Sequence, residues 1–236
     1  VVDAATGVVT TTAPLDHEAA ASYALVAKVT DSGGLSTQQA FTVAVGDVNE
    51  APVALALSGD HVAENLAAGS VVGTLAASDP EGDALAYSLI DNAQGLFAVD
   101  AVTGVVTTTT ALDYEAVKNY QIVARATDTG GLSTDHGFTI VVDDVNEAPV
   151  ATADAVAVDE DATTANLWST LLGNDRDPDT GQTLSIVKVD TSDTLGSVIF
   201  DAATQTLKYV ADNDAFDALA TGASQVDRFT YTVSDG

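Results

Sequence analysis

The chain has no cysteine, one tryptophan and only seven Lys and Arg residues against 35 Asp and Glu in 236 positions. Without cysteine no disulfide can brace the fold, and no thiolate metal site is possible. The formal charge of −28 repels phosphates, which excludes nucleic acid as a partner and makes an anionic membrane surface equally unfavourable. No stretch approaches the roughly eighteen continuous apolar residues of a membrane span, so this segment has no direct membrane insertion. No basic, apolar leader opens the chain. Helical periodicity is nearly missing as well. Acidic, lysine-poor surfaces also serve solubility or a high-salt habitat, so the positions of the acids, not their number, carry the information.

What the sequence does have is repetition. Asp47-Val48-Asn49-Glu50-Ala51-Pro52-Val53 recurs letter for letter as Asp144-Val145-Asn146-Glu147-Ala148-Pro149-Val150. Moving residues 1–53 forward by 97 positions, which is 144 minus 47, lays them over 98–150 without a gap and roughly two-thirds identical. Leu15-Asp16-His17-Glu18 then falls on Leu112-Asp113-Tyr114-Glu115, and Thr30-Asp31-Ser32-Gly33-Gly34 on Thr127-Asp128-Thr129-Gly130-Gly131. The expected organisation is residues 1–49 as the C-terminal half of a module, 50–147 as a complete module, and 148–236 as a divergent one. On this reading the chain opens in mid-module and both ends are cuts through a longer array.

Short alternating runs rich in Val, Thr, Ile, Tyr and Phe recur between Gly, Asp and Asn clusters. In the complete module these are 51–57, 70–76, 84–89, 96–99, 105–109, 120–128 and 137–143, and seven such strands suggest a β-sandwich. Gly7 and Gly104 close turns where a positive φ favours glycine, and the pairs Gly33-Gly34 and Gly130-Gly131 form hairpin turns before a final strand. In the third unit, 159–161 reads as a loop and 165–172 as a short helical turn.

Successive loops of a sandwich alternate between its two ends, which sorts the acids. Glu64, Asp113, Glu115 and Asp144 fall at the C-terminal end of the complete module. Asp79, Glu81 and Asp128 fall at the N-terminal end, facing the preceding Asp47–Glu50 segment. Three oxygen-bearing side chains within four residues suit a hard cation, and calcium accepts six to eight oxygens in irregular geometry. The three histidines, His17, His61 and His136, stand isolated in sequence, so zinc is a poor alternative and they read as surface residues.

These motifs together resemble the cadherin repeat, especially its bacterial form, across residues 1–147. Val62-Ala63-Glu64-Asn65 is similar to the family's early glutamate motif, Asp79-Pro80-Glu81 to its Asp-x-Asp motif, and Leu112-Asp113-Tyr114-Glu115 to Leu-Asp-Arg-Glu. Ala126-Thr127-Asp128 resembles Ala-x-Asp, and Asp144 to Pro149 the linker Asp-x-Asn-Asp-Asn-Ala-Pro. Residues 148–236 look more like cadherin-like modules of large bacterial secreted proteins, through Asn174-Asp175-Arg176-Asp177-Pro178-Asp179 and the ending Phe229 to Gly236.

The resemblance implies an all-β fold of tandem Greek-key sandwiches, cadherin- or immunoglobulin-like, in an elongated array with several calcium ions per joint. By motif, the first joint would use Asp16, Glu18, Asp47, Asn49, Glu50, Asp79, Glu81 and Asp128. The second would use Glu64, Asp113, Glu115, Asp144, Asn146 and Glu147, completed by Asp177, Asp179 and Asp235. The linker is one residue shorter than the animal pattern, with Glu50 or Glu147 for its second Asp, and Glu81 replaces the last Asp of Asp-x-Asp.

The function expected is a calcium-stiffened structural and adhesive segment of a large bacterial surface or secreted protein, located outside the cell. Its partners would be calcium ions and a cell-surface protein, a polysaccharide or a second copy. The alternative is a calcium-dependent carbohydrate-binding module, which would need an exposed aromatic platform. Catalysis is not expected: Asp113 and Glu115, two apart in one loop, are better placed to share an ion than to flank a sugar.

Overall fold

The structure, a computed structural model, describes residues Val1–Gly236. It divides into two compact units, Val1–Asp143 and Asp144–Gly236.

The first unit begins with the partial repeat. Strands β1 (Ser22–Thr30) and β2 (Ser36–Ala44) form an antiparallel hairpin in which Ser22 faces Ala44 and Thr30 faces Ser36. The Asp31 carboxylate accepts the amides of Gly33 and Leu35, and Gly34 takes φ +88°, a conformation that costs glycine no Cβ clash.

The complete repeat follows as β3 (Val53–Leu57), β4 (His61–Ala63), β5 (Val71–Ser78), β6 (Ala86–Asp91), β7 (Phe97–Val99), β8 (Val105–Thr108), β9 (Asn119–Thr127) and β10 (Ser133–Asp143). They form two four-stranded sheets, β4-β10-β9-β6 and β3-β5-β8-β7. In β9, alternation turns Ile122, Ala124 and Ala126 inward. They meet Leu55, Val72, Leu75, Phe97, Val106, Leu112, Ile140 and Val142 in one core. Burying each large aliphatic or aromatic side chain stabilises the sandwich by about 1.5–3 kcal/mol.

Hairpin β9–β10 has the register of β1–β2 shifted by the repeat: Asn119 faces Val141 and Thr127 faces Ser133. The two copies differ in cover. Ala126 is fully buried, whereas Val29, its counterpart 97 residues earlier, is 68% exposed, because β1–β2 forms a sheet of two strands with no second sheet on its apolar face.

Two details depart from the strand expectations. β4 was not anticipated, since three residues are too few to display alternation; its place comes from parallel pairing with Val141–Asp143. β10 starts at Ser133 instead of Gly137, because pairing of Ser133–His136 with β9 holds a polar run that no hydrophobic pattern marks.

The second unit contains α1 (Trp168–Leu171), β11 (Ser185–Asp190), β12 (Ser197–Asp201), β13 (Thr206–Val210), α2 (Asp214–Asp217) and β14 (Thr230–Ser234). β11 pairs with β14 and β12 with β13, both antiparallel. Helix α1 lies inside the expected 165–172 turn, and 159–161 is a loop. α2, unanticipated, is started by the Asn213 side chain accepting the Ala215 amide. Leu167, Trp168, Leu171, Ile186, Leu207, Tyr209, Ala211 and Phe216 form the core. Trp168 is buried and stacks on Phe200 at 6.2 Å between centroids, so it is core packing and not an exposed platform.

Candidate metal centre

The linker after β2 has no regular backbone hydrogen bonding from Gly46 to Pro52, and it is tied down by the loops of the complete repeat. Asn49 Nδ2 donates to Asp128 Oδ2 at 2.9 Å, and the Glu50 amide donates to Glu81 Oε1 at 3.3 Å. The receiving loops are built locally. Asp79 Oδ1 accepts the amides of Glu81 and Asp83 while Gly82 turns the chain at φ +79°. Asp128 Oδ1 accepts the Leu132 amide at 2.8 Å at the head of the β9–β10 turn. The Thr129 hydroxyl donates to Asp83 Oδ2, joining the two loops.

Around this frame the carboxylates converge. One oxygen each from Glu18, Glu50 and Glu81 lie within 4.8 Å of one another. Asp16, whose Oδ1 accepts the Ala19 amide, adds its charge to Glu50. A hydrogen bond with Glu81, then partial desolvation and the charges of Glu18, Glu81 and Asp16, push the Glu50 carboxyl up to about 7. Without a cation, carboxylates this close relieve their repulsion by sharing a proton. Burial pushes Asp128 up, but the Asn49 amide and the amides of Leu132, Gly131 and Gly130 outweigh it and hold the carboxyl below its ordinary range.

The observation that tests the fit of a hard cation is which oxygens are left over. Asp79 Oδ2 and Glu81 Oε2 are buried with no hydrogen-bond partner. A buried acceptor in that state costs about 1–3 kcal/mol, and more if charged. Oxygen donors carrying net negative charge, with lone pairs directed at no protein donor, match what calcium requires.

At the other end of the complete repeat, Glu64 is 2% exposed, and its Oε2 accepts the Tyr114 amide at 2.7 Å. The Glu64 amide donates to the Asp143 carbonyl, which pins the residue beside β10. One oxygen of Glu64 lies within 4.8 Å of one from Glu115. Asp113 Oδ1 caps the same turn by accepting the Ala116 amide.

The second unit repeats the linker network. Asn146 Nδ2 donates to Asp235 Oδ2 at 2.7 Å, and the Glu147 amide to Asp179 Oδ2 at 2.8 Å. The Asp179 amide donates to Asp177 Oδ1, and Asp177 Oδ2 is buried without a hydrogen-bond partner. Asp235 therefore stands to Asn146 as Asp128 does to Asn49, and Asp177 and Asp179 stand to Glu147 as Asp79 and Glu81 do to Glu50. Asp144 opens this segment, two residues before Asn146, in the same non-strand run.

Asp83 shares the acidic loop of Asp79 and Glu81 in the alternation 79, 81, 83 but belongs to no ligand motif, and Gln182, which donates to Asn146 Oδ1 at 2.6 Å, has no signal in the sequence. The structure corrects the expectation that His17 is isolated. Its Nδ1 sits 2.9 Å from the Val45 carbonyl oxygen, and a ring nitrogen lies within 4.8 Å of oxygens of Glu18 and Asp47. The Val45 carbonyl first, with the charges of Asp47, Glu18 and Glu50 adding to it, raises the imidazole above its ordinary pKa against a smaller effect of burial. His61 is not isolated either: Asp143 lies at 2.8 Å and Asp60 at 3.8 Å. His136 packs against Phe138 with centroids 4.8 Å apart. Chain separations of 28 and 82 residues hid the His17 and His61 contacts from a linear reading.

Comparison with known proteins agrees with this architecture. The cadherin domain family model matches residues 61–143, and the bacterial cadherin-like domain model matches residues 146–236. Cadherin-17 of Rattus norvegicus is 37% identical over 155 residues, covering 61% of this chain and 19% of the relative. Cadherin-4 of Caenorhabditis elegans is 34% identical over 157 residues, covering 63% of this chain and 4% of the relative. The chain thus spans a fifth or less of the length of these curated relatives. Among solved structures, PcdhgB3 EC1-4 is similar at 26% identity and TM-score 0.51, covering 85% of this chain and 50% of that one. Protocadherin gammaB7 EC3-6, at 21% identity and TM-score 0.54, covers 95% of this chain and 57% of that one and shares the fold. With a cadherin domain followed by a bacterial cadherin-like domain on a nearly all-β framework, the chain belongs to the cadherin-like tandem repeat proteins.

Proposed function

We propose that this chain is a calcium-binding structural and adhesive segment of a bacterial surface or secreted protein, divided into modules at 1–49, 50–147 and 148–236. The observation that carries the reading is the set of buried carboxylate oxygens with no hydrogen-bond partner, Asp79 Oδ2, Glu81 Oε2 and Asp177 Oδ2, of which Glu81 lies in a cluster with Glu18 and Glu50, while Asp79 and Asp177 each accept the amide of the acid two residues on. Asp16, Glu18, Asp47, Asn49, Glu50, Asp79, Glu81 and Asp128 would hold ions at the first linker. Asp144, Asn146, Glu147, Asp177, Asp179 and Asp235 offer the same donor types in the second unit, as Glu64, Asp113 and Glu115 do at the end of the complete repeat. Bound calcium supplies the positive charge that lets these carboxylates stay ionised and close together.

What the protein's own residues contribute is preorganisation. Asn49 and the Glu50 amide hold the linker against the Asp128 and Glu81 loops, so a rigid linker costs less entropy once the acids are neutralised. A linker held this way transmits force between repeats, which suits adhesion. The match to a bacterial cadherin-like domain supports the bacterial surface setting.

Calcium titration by calorimetry on the wild type and on Asp79→Asn tests the reading, together with limited proteolysis of residues 45–52 in chelator and in calcium. The expected result is multi-ion binding weakened by the substitution, and cleavage of the linker only in chelator. Equal cleavage under both conditions would sink the structural role.

A further inference from the structure

We propose that His17, Glu18 and Asp47 form a binding site for a first-row transition-metal ion of the zinc type, which sets the first linker apart from its sequence repeat. The donors are a ring nitrogen of His17 and one carboxylate oxygen each from Glu18 and Asp47, all within 4.8 Å of one another. That spacing lets three side chains reach a single ion, with water completing its coordination.

One nitrogen of the imidazole is held by the backbone. The Val45 carbonyl 2.9 Å from Nδ1 can only accept, so Nδ1 carries the proton and donates it. The neutral ring then presents its lone pair on Nε2. A histidine that binds metal through one nitrogen and donates the other to a backbone carbonyl has its tautomer and ring plane set in advance. The ring is half-buried while both carboxylates are exposed, so an ion can enter from solvent.

Ligand chemistry separates this ion from calcium. Calcium takes oxygen ligands and gains nothing from an imidazole, whereas zinc, nickel, copper and cobalt prefer nitrogen. The repeat provides an internal comparison: position 114, equivalent to 17, is tyrosine in an otherwise matching Leu-Asp-x-Glu sequence, and its ring lies beneath the Lys118 ammonium at 4.2 Å. Glu18 and Asp47 also belong to the proposed calcium set, so the two ions compete for them. The inference rests on the calcium reading only for that competition; the zinc site stands or falls on His17.

The test is zinc titration of the whole chain by calorimetry, without calcium, for the wild type, His17→Tyr, His17→Gln and His61→Gln. His17→Tyr installs the residue that the second copy of the motif already carries, and its calcium titration and thermal unfolding report whether it folds. We expect one zinc ion bound by the wild type and by His61→Gln, with affinity lower by roughly tenfold or more in both His17 variants. Calcium binding by His17→Tyr should persist, and added calcium should weaken zinc binding to the wild type. Cobalt should broaden the His17 imidazole resonances selectively. Zinc binding equal in His17→Tyr and wild type, loss in His61→Gln instead, or no zinc binding at all would each overturn the proposal. Calcium binding without zinc removes only this inference; zinc binding without calcium removes only the calcium reading.

Discussion

Asn49 Nδ2 donates to Asp128 Oδ2 at 2.9 Å across 79 positions of chain, and the second unit repeats the arrangement with Asn146 and Asp235 at 2.7 Å. In each case a linker asparagine clamps an aspartate that directly follows a strand, Asp128 after β9 and Asp235 after β14. The acid is thereby ionised and aimed before any ion arrives, which follows from the amides that surround Asp128.

Gly130 makes this clamp possible. A Cβ added there would lie 2.6 Å from Asn49 Oδ1, the far end of a movable side chain, while the Gly130 backbone itself accommodates alanine. Gly130→Ala should therefore displace the Asn49 amide, weaken calcium binding by about tenfold, and leave the thermal midpoint nearly unchanged. Calorimetry beside a melting curve separates the two effects; an equal loss of stability would mean that the glycine serves the turn and not the clamp.

The Glu50 carboxyl, raised to about 7 from 4.5, couples the linker to pH in chelator. Its folded-state value exceeds the unfolded one, so the stability it contributes is full below 4.5 and is lost as pH rises through about 7. Calcium must then expel that proton. Titrations at about pH 6 in buffers of different ionisation enthalpy should show proton release that vanishes at about pH 8. Glu81→Gln should abolish the pH dependence; its persistence would locate the proton elsewhere.

In the second unit burial pushes Asp227 up, but the Tyr209 hydroxyl at 2.7 Å and the amides of Leu195, Gly196 and Arg228 hold it below 3.8. The stability from this lowered carboxyl is present above 3.8 and lost as pH falls through its folded value. Tyr209→Phe should cost about 1.5–3 kcal/mol at neutral pH, and less in acid, read by urea unfolding. A cost unchanged by pH would exclude the carboxylate as the hydroxyl's effective partner.

Equivalent positions in the two repeats should respond unequally. Ile122→Ala removes a fully buried side chain and should cost about 2–5 kcal/mol. Leu25→Ala, at the same register position of the uncovered hairpin, should cost less than half as much. Hydrogen exchange in β1 and β9 measures both; equal effects would mean that β1 and β2 are covered in solution.

The β-sandwich could be read from the sequence because inward positions such as Ile122, Ala124 and Ala126 alternate with outward ones over a strand of nine residues. The short strand His61–Ala63 could not, because parallel pairing with Val141–Asp143 defines it and pairing leaves no local pattern. The same distinction runs through the site. Asp79, Glu81 and Asp128 stand out by spacing, whereas Gln182 and the surroundings of His17 depend on which distant backbone comes near.

The sequence by itself determined the repeat, its 97-residue period and the acid-rich segments, because identical local strings favour identical turns and strands. Only the tertiary structure decided which oxygens are buried without partners and which histidine meets Glu18 and Asp47, because those facts depend on loops brought together by strand pairing between residues far apart in the chain.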